Sequence, residues 1–367
     1  MAPLRLWIPE TPQLSEELRA ALAMPLMDPR GPEMKTLEAE LDRRLRELLG
    51  FSGALRLLPG ALHDQRRRLT PRAIPGRALY LVTGPDSARA RQEVDGSAEH
   101  EALTITIPPG RAIMAEGIPA VLTKAGELGG LVLQLVERGT GTAHPIRDIA
   151  PPVFQHGGVS LVLDITGAAL SQELELDRER VDLLFADATG FDLPAGMVLV
   201  GARGEMAERL GWDSDEGLFG AAPESLPQPL LFGLATALKL VEVEGRAARQ
   251  TRHWHLAARA RAFARERLEL ISDEGYCAYS LTCVGTPEGL DLEDFHRRMR
   301  ARGHVLGRGL GELAGRSFRI AHTGTTTVEE LDALLDEITA VLDAMEVPWA
   351  EPVRDSDKYG SATPEDV

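Results

Sequence analysis

A chain of 367 residues is longer than one minimal core needs and suits a large domain followed by a smaller one. Its apolar fraction of 44% and charged fraction of 26% are those of a globular protein, which excludes broad disorder and fibrous repeats. A formal net charge of −16 disfavours nucleic acid as a partner, because a phosphate backbone is gripped by lysine and arginine.

In chain order, Trp7-Ile8-Pro9-Glu10 follow a single basic residue and no long apolar run. Neither a signal peptide nor a membrane span is expected, and a cytoplasmic location is. Residues 13 to 49 place Leu37, Leu41, Leu45 and Leu48 at helical spacing, which predicts an amphipathic helix. Short apolar runs then alternate with helical segments, and Ala78 to Thr83, Leu103 to Ile107, Leu131 to Val136, Ser160 to Asp164, Leu183 to Ala186 and Met197 to Val200 read as strands. That alternation predicts an α/β fold, a mostly parallel sheet covered by helices. Pro223, Pro227 and Pro229 mark a change of pattern before a long helical stretch from Leu230 through Leu270. A small α+β module follows, with strands at Tyr279 to Val284 and Ser317 to Ala321 and helices at Leu292 to Arg302 and Val328 to Met345. The expected divisions are an N-terminal arm over 1–30, a large α/β domain over 31–225, a linking helix with a small α+β domain over 226–347, and a mobile tail over 348–367. Two cysteines, Cys277 and Cys283, are too few for a disulfide framework or an all-cysteine zinc site and read as buried thiols.

Five segments carry a family signature in sum: Met24 to Met34; Glu137-Arg138-Gly139-Thr140-Gly141 with Pro145-Ile146; Leu161-Val162-Leu163-Asp164; Val181 to Gly196; and Phe318-Arg319-Ile320-Ala321-His322-Thr323-Gly324. In matching order over nearly the whole chain, they resemble the alanine-glyoxylate and serine-pyruvate branch of the class V aminotransferases. The resemblance implies a fold type I pyridoxal phosphate (PLP) transferase architecture, PLP as cofactor and a dimeric assembly. It assigns Asp164 to the cofactor's pyridine nitrogen, Gly60 and Thr189 to cofactor contacts, and Arg319 to the substrate carboxylate. Anchored on Asp182 and on Pro194-Ala195-Gly196, the family's Schiff-base lysine falls at Gly190.

Transamination on PLP needs a lysine amine, to hold the cofactor and to shuttle its proton, and glycine can do neither. Only four of the 40 basic residues are lysines: Lys35, Lys124, Lys239 and Lys358. None lies between residues 124 and 239. The phosphate cradle of relatives corresponds to Leu58-Pro59-Gly60-Ala61-Leu62-His63-Asp64, where one glycine remains, hydroxyls are absent and Asp64 would repel an anion. The aromatic ring that relatives stack on the pyridine has no counterpart in Gly84-Pro85-Asp86-Ser87-Ala88-Arg89. With three elements of cofactor binding absent together, the resemblance implies an impaired pseudoenzyme or a partner subunit, as a homodimer or as a heterodimer with an active paralogue. Two other readings stay open: an enzyme holding PLP non-covalently for a small amino or keto acid, and a cofactor-free binder of a small carboxylate through Arg319.

The same residues have plainer readings. Asp164 can cap its strand and Arg319 can be a structural ion-pair partner. His63 and His322 read as solvated or packed, and the run Arg66-Arg67-Arg68 as a solvated face. Trp254, flanked by His253 and His255 on a helix, reads as packing, since adjacent helical residues point apart.

Overall fold

A computed structural model describes residues 4–212 and 217–347; the tail expected to be mobile lies outside the described residues. The strands are β1 (Arg5–Trp7), β2 (Ala54–Pro59), β3 (Gly76–Val82), β4 (His100–Thr106), β5 (Gly130–Gln134), β6 (Val136–Glu137), β7 (Thr142–Ala143), β8 (Ser160–Asp164), β9 (Leu183–Asp187), β10 (Met197–Ala202), β11 (Glu269–Leu270), β12 (Leu281–Gly285), β13 (His304–Arg308) and β14 (Ser317–Ala321). The α-helices are α1 (Glu16–Leu22), α2 (Pro32–Leu49), α3 (Leu62–Ala73), α4 (Pro85–Gln92), α5 (Ile118–Ala125), α6 (Ile146–His156), α7 (Glu205–Leu210), α8 (Gln228–Glu244), α9 (Arg246–Arg267), α10 (Leu292–Ala301) and α11 (Val328–Ala344).

Two long helices expected from periodicity are each broken. Between α1 and α2, Pro25 and Pro29 remove backbone donors, and α2 restarts at Pro32, where a missing N–H costs nothing. Leu41 and Leu45 are fully buried as the spacing predicts, but Leu49 completes that face, and Leu37 and Leu48 are only half-buried. At the second break, Gly245 holds φ 85°, a conformation that ends α8 and lets α9 leave in a new direction.

The large sheet runs β2-β10-β9-β8-β5-β3-β4. The β4-β3-β5-β8-β9 portion is parallel throughout, and β10 is antiparallel to both β9 and β2. Its middle strands are buried on both faces, which is why they read as unbroken apolar runs. The second sheet, β1-β13-β14-β12-β11, is mostly antiparallel and packs on α9, α10 and α11 around Leu256, Phe295, Phe318 and Leu334. Its outer strand β1 comes from the N-terminal segment and pairs with β13 in parallel, Arg5 with His304 and Trp7 with Leu306. Among the described residues, no helix is long and apolar enough to cross a membrane. Cys277 and Cys283 are buried free thiols, and burial pushes each up to about 11.

Candidate functional site

In an open α/β sheet the ligand crevice lies beyond the carboxyl ends of the parallel strands. Here those ends bring together Gln134, the last residue of β5, Asp164, the last of β8, and Thr189 and Gly190 just after β9. Asp164 is buried and both its oxygens are taken. Thr166 N–H donates to Oδ1 at 2.8 Å, and Arg66 Nη1 donates to Oδ2 at 2.7 Å. The rest of that guanidinium forks onto Glu93, Nε to Oε2 at 2.8 Å and Nη2 to Oε1 at 3.1 Å.

The expectation that Arg66 lies on a solvated face is therefore wrong: it is only 8% exposed, whereas its neighbours Arg67 and Arg68 are exposed. The reason is local geometry plus charge. Leu62, Arg66, Leu69 and Ala73 share the buried face of α3, and the two carboxylates supply the counter-charge that a buried guanidinium needs. Burial works against its charge, but Asp164 and Glu93 more than offset this and hold the guanidinium more firmly protonated than usual.

Gly190 is packed against the backbone. A Cβ there would stand 2.4 Å from the Thr166 carbonyl oxygen and 3.1 Å from Thr166 Cα. Thr189 is buried beside it, its N–H donating to Asp187 Oδ1 at 2.9 Å. Lys35, Lys124 and Lys239 sit exposed on α2, α5 and α8, and Lys358 lies outside the described residues. Gly60, at φ 100°, makes an exposed turn after β2, its N–H donating to Gly196 O at 2.9 Å. It lines neither of the cavities at the strand ends.

A second ion network closes the cleft between the two sheets. Glu137, fully buried, accepts from the N–H groups of Asp86 and Ser87 at 2.8 Å each and of Gly139 at 3.0 Å. A carboxylate of the chain itself thus sits at the first turn of α4. Burial first, and then the charge of Asp86, push the Glu137 carboxyl up. Arg138 Nε reaches Asp86 Oδ2 at 2.9 Å. Arg319 lies mid-strand in β14 with no free edge: its Nη1 and Nη2 fork onto Glu10 at 2.5 and 3.2 Å, while Nε donates to Arg308 O and Nη1 to Arg138 O. Nothing in the local sequence marks Glu10 or Glu137 as partners; only the register of β1 beside β13 brings Glu10 to the fork.

His322 is fully buried, its Nε2 beside Thr282 Oγ1 at 3.1 Å, and burial lowers it to about 3. His144 is likewise driven down to about 3 by burial; it accepts from Ile113 N–H at Nδ1, which leaves the proton on Nε2 facing Thr83 Oγ1. His63 is exposed beside Asp64. Trp254 is exposed rather than packed, edge-on to His255, while His253 takes the buried side of α9. Two cavities remain at the strand ends. One of 30 Å³ is lined by Thr166, Thr189, Gly190, Arg249, His253 and Ser280 among others, and one of 20 Å³ lies beside Arg66, Gln134 and Asp164.

No family model matches the chain. It is 26% identical over 353 residues to the L-aspartate–glyoxylate aminotransferase of Paracoccus denitrificans, covering 88% of this chain and 87% of that protein. It is also 24% identical over 255 residues to a protein of Synechococcus described as a soluble hydrogenase small subunit, covering 65% of this chain and 66% of that one. Among solved structures, alanine–glyoxylate aminotransferase of Nostoc superposes with a TM-score of 0.82 over 93% of this chain and 96% of its own, at 23% identity. That last likeness is one of fold. The chain therefore has the fold type I architecture of the PLP-dependent transferases and resembles the alanine- and serine-glyoxylate class V aminotransferases.

Proposed function

We propose that this protein is a class V aminotransferase scaffold that works without a lysine-bound cofactor, as a pseudoenzyme or as the partner subunit of an active paralogue in the cytoplasm. The observation that carries the reading is the Arg66 guanidinium 2.7 Å from Asp164, in the position that the resemblance gives to a pyridinium nitrogen.

The residues present do not fit PLP. Asp164 already has a cation, Gly190 leaves no room for a side chain, and Arg319 is forked onto Glu10. The 30 and 20 Å³ cavities at the strand ends have room for only a few waters each, at roughly 10–15 Å³ per water, against the several hundred Å³ typical of a cofactor pocket. The pyridinium charge and the substrate carboxylate each have a substitute within the chain, Arg66 on Asp164 and Glu10 on Arg319. No step of transamination is derived for it. The closed Arg319 fork also leaves the cofactor-free carboxylate reading without an observation in its favour.

The test is a visible spectrum of the purified protein before and after PLP, followed by borohydride. The expected result is no aldimine band near ~420 nm and no covalently retained cofactor, since no lysine among the described residues is placed to form one. A band that borohydride fixes to a lysine of the chain would overturn the proposal.

A further inference from the structure

Two adjoining cavities lie away from the strand ends, beside α6. One of 410 Å³ is lined by Val153, Phe154, Leu161, Asp177, Glu179 and Asp182 among others; a second of 300 Å³ lies beside it, and Ala150, Phe154, Glu179 and Arg180 line both. Both fall in the size range of small-molecule sites. The feature between them is a strap: the Arg180 guanidinium stacks 3.4 Å from the Phe154 ring centroid. Phe154 is 55% exposed, so the stack is a surface feature and not core packing.

Three observations point to what this groove accepts. Arg180 holds φ 51°, a left-handed conformation that non-glycine residues rarely adopt, so the strap is not what its own backbone prefers. Glu179 is only 3% exposed, and its Oε2 has no hydrogen-bond partner, while the nearest cation, Arg147 Nε, stands 3.5 Å from Oε1. Burial, partly offset by Arg147, holds its carboxyl above the ordinary range, as expected of an acid short of donors. The other carboxylates of the 410 Å³ cavity are spoken for: Asp177 pairs with Arg203, and Asp182 accepts from Leu161 N–H. With Arg180 swung out, that cavity therefore offers one unsatisfied buried carboxylate, an aromatic face that already seats a guanidinium, and an apolar wall of Ala150, Val153, Val159 and Leu161. A net charge of −16 adds a field that draws in cations.

We propose that the groove between α6 and the 177–182 segment is a binding site for a small molecule bearing a guanidinium head on an apolar stem, and that Arg180 is the internal occupant it displaces. The head stacks on Phe154 and donates to Glu179 Oε2; the stem lies along Val153 and Leu161. This site is independent of the strand-end crevice and of the reading given to it.

The probe is n-butylguanidinium, titrated calorimetrically into the full chain, with n-pentanoate as the anionic control. Arg180→Gly is the informative background, because glycine accepts φ 51° without strain and the variant removes the internal occupant. Saturable binding to R180G at least tenfold tighter than to the parent is expected, and adding either Glu179→Gln or the exposed Phe154→Ala is expected to weaken it at least tenfold. No saturable binding to R180G, equal binding of pentanoate, or affinity unchanged by both E179Q and F154A would overturn the site.

Discussion

Replacing Arg66 by methionine keeps most of the apolar stem but withdraws the guanidinium from between Asp164 and Glu93, whose side chains are 8% and 11% exposed. Stripping one partner from a buried ion pair leaves an uncompensated charge, and such losses run to about 3–5 kcal/mol. Asp164→Asn is gentler, because Arg66 retains its fork on Glu93, and about 1–3 kcal/mol is expected from the weakened hydrogen bond. In the double variant R66M/D164N one of the two orphaned carboxylates is gone and only Glu93 remains, so the two effects should fall short of their sum by about 1–3 kcal/mol. Urea unfolding followed by far-UV circular dichroism measures all four corners of the cycle. If R66M unfolds within about 0.5 kcal/mol of the parent, or if the double variant is simply additive, then Arg66 is not the counter-ion of Asp164 and the argument that it stands in for a cofactor fails.

Gly190→Lys should not restore a cofactor anchor: with a Cβ 2.4 Å from Thr166 O, the backbone must shift, at a cost of about 1–3 kcal/mol or more, and a spectrum with added PLP should stay featureless. A stable G190K with a borohydride-fixed band would refute this. Stability should fall on acidification, because the lowered values of His144 and His322, about 3 each, mean that the folded state binds fewer protons than the unfolded chain, whose histidines titrate near 6.5. Their contribution is fully present above about pH 6.5 and is lost toward pH 3; by pH 5 each has given up about 2 kcal/mol, readable as a drop in urea midpoint that His144→Gln should reduce. Glu10→Gln should lower stability only modestly, by about 1 kcal/mol after discounting for its 41% exposed side chain, whereas Arg319→Met, which strands Glu10 and two carbonyls, should cost more in the same titration.

Much of the large sheet is legible in the sequence because its central strands are buried on both faces: Ser160 to Asp164 and Leu183 to Ala186 cannot sit elsewhere, and β8 and β9 occupy those positions. What is not legible is pairing over distance. The three-arginine run reads as solvated when taken alone, although the spacing of Leu62, Arg66, Leu69 and Ala73 already places Arg66 on an inward helical face. Its partners, 27 and 98 residues away, are brought to it only by the fold. The antiparallel insertion of β10 escapes notice because an apolar run carries no direction. β1 is three residues long, too short for any periodicity to register, and it takes Glu10 with it.

The position of β1 also sets a timetable. Trp7 meets His304 across 297 residues of chain, so at synthesis rates of about 5–20 residues per second the first strand waits roughly 15–60 s for the edge it belongs to. Through that interval the large sheet can assemble, since its strands all lie between residues 54 and 202, but the second sheet lacks β13 and β14, and Glu10 waits for Arg319. Nascent chains stalled before residue 300 should therefore hold a protected large sheet beside a protease-sensitive N-terminal strand, and release of the remaining fifty or so described residues should protect that strand and the second sheet together.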